Sequence, residues 1–159
     1  MATKDQCDFF RFLHDEEERR YEQLEARGKL YLSIVTLFLA TLIFKAQDVR
    51  ASVKELNVPW WLVLAEAVLL AVTLFFIVLG ALIRDYEGVA DPERVLESFG
   101  EEPPSDDEFF DDRIADYAVS TNRNAAVNDR VARHLEIAGL ILGAAMVLMV
   151  IAFAVALLH

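Results

Sequence analysis

IAGLILGAAMVLMVIAFAVALL, residues Ile137 to Leu158, contains no charged side chain and meets the roughly 20 apolar residues that a helix needs to cross a bilayer. Working outward from it, two further apolar stretches appear, Leu30 to Phe44 and Val58 to Ile83. The latter holds one acid, Glu66, and is otherwise apolar up to Arg84, so it is expected to insert. The former is short, and its span is completed when Lys29 and Lys45 extend their ammonium groups toward the headgroups. The chain therefore reads as an all-α integral membrane protein with three transmembrane helices. Its segments are 1–29, a cytoplasmic amphipathic helix; 30–83, a two-span hairpin; 84–136, an acidic cytoplasmic helical region; and 137–159, the third span.

Hydrophobic content of 55% and a net charge of -11 coexist because the charge lies almost wholly outside the apolar runs. Residues 1–29 carry six Lys/Arg against eight acids, residues 45–57 three against two, and residues 84–136 six against fifteen. Orientation follows Lys and Arg near the membrane ends, and acids count for little. Twelve basic residues fall on one side and three on the other, which predicts a cytoplasmic N-terminus and acidic segment, an outer 45–57 loop and an outer C-terminus. No cleavable signal peptide is expected in the charge-rich first 28 residues. Cys7 is alone, so an intrachain disulfide is excluded and a structural zinc site is not expected. A sequence pI near 4.6 argues against nucleic acid as a partner, because phosphate neutralisation needs clustered Lys/Arg.

Thr3 to Gln6 has the form of a capping box, which predicts a helix from about residue 4 into the first span, with a bend at Gly28. Its Phe9, Phe10, Phe12 and Leu13 cluster is too apolar for a free end and is expected to pack on a helix, another subunit or the inner leaflet. Asn57 can cap and Pro59 suits the first turn of the second span. Trp60 and Trp61 anchor its outer end, and Arg84 with Tyr86 its inner end. Asp91-Pro92 and Phe99-Gly100 bracket a short helix at about 92–99. Ser105 to Glu108 is a second capping box. No proline follows it, and Ile114, Tyr117, Ala118, Ala125, Val131, Leu135 and Ala138 recur at three to four residues. One helix of about 78 Å is predicted from 106 through the third span.

Glu66, the one ionisable group clearly inside an apolar run, lies about two turns in from Trp60. It either reaches the outer headgroups or lines a pore or subunit contact that sets a gate. Gly139 and Gly143 form a GxxxG that lets two backbones approach, within one subunit or between subunits. Ser33, Thr36, Ala40 and Thr41 make a small, weakly polar face able to hydrogen-bond across helices. Asn122, Arg123, Asn124, Asn128, Arg130 and Arg133 gather just before the third span. Asparagine is a poor helix former, so this cluster serves either contacts between stalk helices, including the acids of 15–25, or a small-ligand or headgroup site. His14, His134 and His159 are too scattered in sequence for one metal site, and no catalytic constellation or cofactor motif is visible. An enzyme is not expected.

The charged helix entering the first span as Glu25-Ala-Arg-Gly-Lys-Leu-Tyr-Leu-Ser-Ile, the span end Ile43-Phe-Lys45, the hairpin span, and the polar helix with Asn124, Asn128 and Arg133 resemble small bacterial membrane effectors. They are most similar to Pycsar-type transmembrane effectors and the related SLATT proteins. That resemblance implies triggered damage or depolarisation of the inner membrane during phage infection, with a soluble trigger protein or a nucleotide second messenger upstream. The chain is too short to add a separate nucleotide-binding domain. The expectation is a homo-oligomeric membrane effector; the alternative is a non-toxic scaffold whose acidic stalk recruits a soluble partner.

Overall fold

The computed structural model describes residues 3–55, 59–83 and 105–158. Among them the chain is all-α, with helices α1 (Lys4–Phe44), α2 (Ala46–Glu55), α3 (Trp60–Leu82) and α4 (Asp106–Leu158) (no strand is assigned). Three of these, α1, α3 and α4, are long and apolar enough to cross a membrane. Both capping boxes close as the sequence predicts. Thr3 N donates to Gln6 Oε1 at 3.0 Å and Gln6 N to Thr3 Oγ1 at 3.4 Å. Ser105 N donates to Glu108 Oε2 at 3.2 Å and Glu108 N to Ser105 Oγ at 3.4 Å. Each box satisfies amide groups that the first helical turn leaves without carbonyl partners.

Two local expectations are corrected. The 45–57 segment is not simply a loop, because Ala46–Glu55 forms α2. Its Ala, Gln, Arg, Lys and Glu are good helix formers, and Val49 N donates to Lys45 O at 2.8 Å where the chain re-enters helical geometry after α1. Charge made this stretch read as a connection, whereas Val49 and Val53 give it an apolar side. Pro59 occupies the N-cap of α3 rather than its first turn, with φ -61° and ψ 121° and no side-chain cap. Gly28 falls inside α1 without interrupting it. Asn57, Arg84, Tyr86, the 92–99 helix and His159 lie outside the described residues.

The chain divides into two compact units, one of Met1–Gln23 with Arg84–Arg130 and one of Leu24–Ile83 with Val131–His159. In the first, α1 and α4 run parallel: His14 meets Ser120, Glu17 meets Asn128 and Arg20 meets Asp129. In the second, α3 runs antiparallel to α4. Gly80 lies against His134 and Val131 near the start of that α4 segment, and Leu62 and Glu66 lie beside Leu148, Met149 and Ala152 toward its end. The core of this unit is Val35, Leu70, Ile77, Ala138, Leu142 and Ala145, with Tyr31, Phe38 and Phe76 among the side chains packed around it.

Burial follows a heptad along both long helices. On α4 the buried positions Asn128, Val131, Leu135, Ala138, Leu142 and Ala145 step alternately by three and four, and on α1 buried Val35 and the half-buried Glu17, Tyr21, Leu24, Gly28, Tyr31, Phe38 and Leu42 do the same. This is the 3.5-residue repeat of knobs-into-holes packing between helices. The outer faces stay apolar: Leu37, Phe44, Phe75, Leu140, Val147 and Phe153 are all more than half exposed, as lipid-facing side chains would be.

Candidate functional site

In the first unit the seam between α1 and α4 is polar. His14, Ser120, Asn124 and Asn128 are buried there, both asparagines completely. Asn128 Nδ2 donates to the Glu17 carbonyl at 2.9 Å and to Glu17 Oε2 at 2.8 Å, while its Oδ1 is buried without a partner among the described residues. His14 Nδ1 lies 3.4 Å from Ser120 Oγ, and its ring is tilted on Tyr117 at 5.7 Å. The asparagines therefore sit in mid-helix because they fill the seam, where a polar residue fixes register at some cost in stability. Beside them Arg20 donates to Asp129 Oδ1 at 2.6 Å. That hydrogen bond pushes the Arg20 guanidinium above its usual pKa, so the guanidinium keeps its charge at any physiological pH. Both partners are well exposed, which limits the contribution to about 0–1 kcal/mol.

The six polar residues before the third span do not converge on one site. Asn124 and Asn128 point into the seam, whereas Asn122, Arg123, Arg130 and Arg133 are exposed, and Arg133 belongs to the second unit. A buried cation that the sequence reading passed over is Arg113, which donates to Asp116 at 2.9 Å and whose Nε is buried without a partner among the described residues. The repeat on α1 could have found His14, which lies one heptad before Tyr21, whereas Arg113 and Ser120 fall one position out of the repeat that runs from Asn128 to Ala145. At the start of α1, Phe9 and Phe12 are 57% and 55% exposed, while Phe10 and Leu13 are half-buried.

In the second unit the GxxxG motif separates into two roles. A Cβ on Gly139 would meet Tyr31 Oη at 2.8 Å and its ring at 3.3 Å, whereas one on Gly143 would meet nothing within 4 Å. Gly139 thus admits the tyrosine of α1, held in place by Arg27 Nε donating to Tyr31 Oη at 2.9 Å, and Gly143 opens outward. The Ser33 and Thr41 hydroxyls donate to Lys29 O and Leu37 O of their own helix at 2.9 and 2.8 Å. Those donors are satisfied inside α1, not across helices as expected, and Ser33, Thr36 and Thr41 are exposed. Trp60 and Trp61 are 68% and 56% exposed at the start of α3, where amphipathic rings suit a membrane interface.

Glu66 is half-buried in a cavity of about 270 Å³ between α1, α2, α3 and α4, lined by Phe38, Thr41, Leu62, Leu70 and Leu148 among others. Its Oε2 is buried and accepts no hydrogen bond among the described residues. A neighbouring cavity of about 370 Å³ shares Leu42, Val49 and Val63 with it and adds Arg50 and Trp60. Among the described residues no group of three His, Cys, Asp or Glu is placed to hold a metal ion.

Fold and site together define an all-α protein with three helices able to cross a membrane, a polar helical seam and one acid in an apolar cavity. Comparison with family models, with curated proteins and with solved structures gives no match to this chain.

Proposed function

We propose that this protein is a homo-oligomeric effector of the bacterial inner membrane that depolarises the cell when its cytoplasmic part is engaged. The observation that carries the reading is continuity: α1 and α4 are each a single helix contributing to both the polar unit and the apolar unit. A change in how the polar seam packs has a helical route into the spans. Within one subunit the apolar seam is filled by Val35, Leu70, Ala138, Leu142 and Ala145, so a conduit would need several copies, and closed symmetry is the usual outcome. The resemblance to Pycsar-type and SLATT effectors favours antiphage defence as the setting, with a soluble protein or a nucleotide second messenger as trigger.

Induced expression in bacteria, with and without the neighbouring genes and during phage challenge, tests this with a potential-sensitive dye. Loss of membrane potential and growth arrest under at least one of these conditions is expected; full potential under all of them contradicts it. The second reading, a scaffold, is favoured by the exposed acids Asp106, Glu108, Asp111 and Asp112. It predicts that reversing these charges abolishes capture of a soluble partner while the potential never changes.

A further inference from the structure

We propose that the Glu66 cavity is a binding site for a small hydrophobic cation, a primary ammonium carried on an apolar body. This inference stands apart from the effector reading, since it concerns what one subunit binds and not whether the assembly conducts. Two of the residues lining the cavity, Thr41 and Glu66, carry polar side chains. The Thr41 hydroxyl already donates to Leu37 O at 2.8 Å. Glu66 Oε2, by contrast, is buried with no donor among the described residues, and a buried acceptor without a partner is costly enough to demand one. A ligand that relieves it must therefore bring a donor and otherwise match an apolar wall.

Charge chooses among the candidates. An anionic amphiphile would set a negative charge against the carboxyl oxygens, and a neutral alcohol would bring a donor but no charge to hold the carboxyl ionised. An ammonium supplies both a donor and the opposite charge, in the form of hydrogen bond that is about twice as strong as a neutral one. Phe38, which lines the same cavity, adds an aromatic ring to its wall. Arg50 lines the adjoining cavity, so the positive head is directed to Glu66 and the apolar body toward Val49, Val63 and Trp60. A volume of about 270 Å³ lies at the small end of ligand pockets, which suits one ring on a short chain.

The test uses the full chain in phosphatidylcholine nanodiscs, whose lipids carry no primary amine. The chain's two tryptophans, Trp60 and Trp61, serve as fluorescent reporters, with empty discs as the partition control. 4-Phenylbutylamine, 4-phenylbutanol and 4-phenylbutyrate share one apolar body and differ in the head. The amine is expected to saturate at about a tenfold lower concentration than the alcohol, with no saturable signal from the carboxylate. Glu66→Gln should bring amine and alcohol to within about twofold while helicity is retained. Ala152→Phe, which fills the cavity, should remove saturable binding of both. Equal binding of amine and alcohol by the unaltered chain, an amine preference that survives Glu66→Gln, or saturable binding that survives Ala152→Phe would each overturn the proposal.

Discussion

Replacing Asn128 with aspartate is expected to cost about 3 kcal/mol or more of stability, because it leaves an uncompensated charge buried in the seam. Asn128 is fully buried and its Nδ2 donates to Glu17 Oε2 at 2.8 Å. The substitution preserves shape, removes that donor and sets two carboxylates against each other, and like charges sharing a site hold one of the two pKa values well up. The sign follows from linkage. A carboxyl whose folded pKa exceeds its unfolded one makes the folded state bind more protons, so stability falls as pH rises through the carboxylate range and returns as pH is lowered. Thermal unfolding of the detergent-solubilised protein, followed by circular dichroism at several pH values, reads this directly. Asn128→Leu should lower the midpoint by less and without the pH dependence, since it strips Glu17 Oε2 of its donor but buries no new charge. It should also loosen the register that the polar layer fixes.

The second large effect is at Gly139. A leucine there must displace Tyr31, whose Oη and ring already lie 2.8 and 3.3 Å from a simple Cβ, and overpacking of this kind costs about 3 kcal/mol. The same substitution at Gly143 meets nothing within 4 Å and should leave the isolated subunit within about 0.5 kcal/mol. Unfolding in mixed detergent micelles measures both, and Tyr31→Ala should recover part of the Gly139→Leu loss because the two sites share one contact. If Gly143 packs between copies, Gly143→Leu will instead shift the oligomer to smaller species on native gels, an effect without counterpart at Gly139.

The three spans were legible because apolar length alone specifies them, and the helix starts because Thr3 with Gln6 and Ser105 with Glu108 carry their own hydrogen-bonding logic. Ala46–Glu55 was not, since its charge disguised an amphipathic turn pattern built on two valines. The polar cluster before the third span was legible as a cluster but not as a geometry. Spacing placed Asn124 and Asn128 on one face, yet only the partner helix decides that this face is inward and that the arginines turn away. Arg113 was invisible for the same reason, as burial of a lone basic side chain depends on what lies opposite, and His14 could be reached only by following the α1 repeat back from Tyr21. Glu66 was conspicuous by its charge, but the cavity that contains it is assembled from four separate helices and has no local signature.

Everything proposed for function depends on three crossings that put the polar unit on the cytoplasmic face, and Cys7 tests this without a foreign probe. It is the chain's one cysteine and is partly exposed on α1. A membrane-impermeant maleimide added to intact spheroplasts should leave Cys7 unlabelled and label it after permeabilisation. A Cys7→Ser/Gln47→Cys chain, with its thiol on the exposed side of α2, should label before permeabilisation. Labelling of Cys7 in sealed spheroplasts, or protection of the thiol at position 47, would contradict the topology and with it the account of how a cytoplasmic event reaches the membrane.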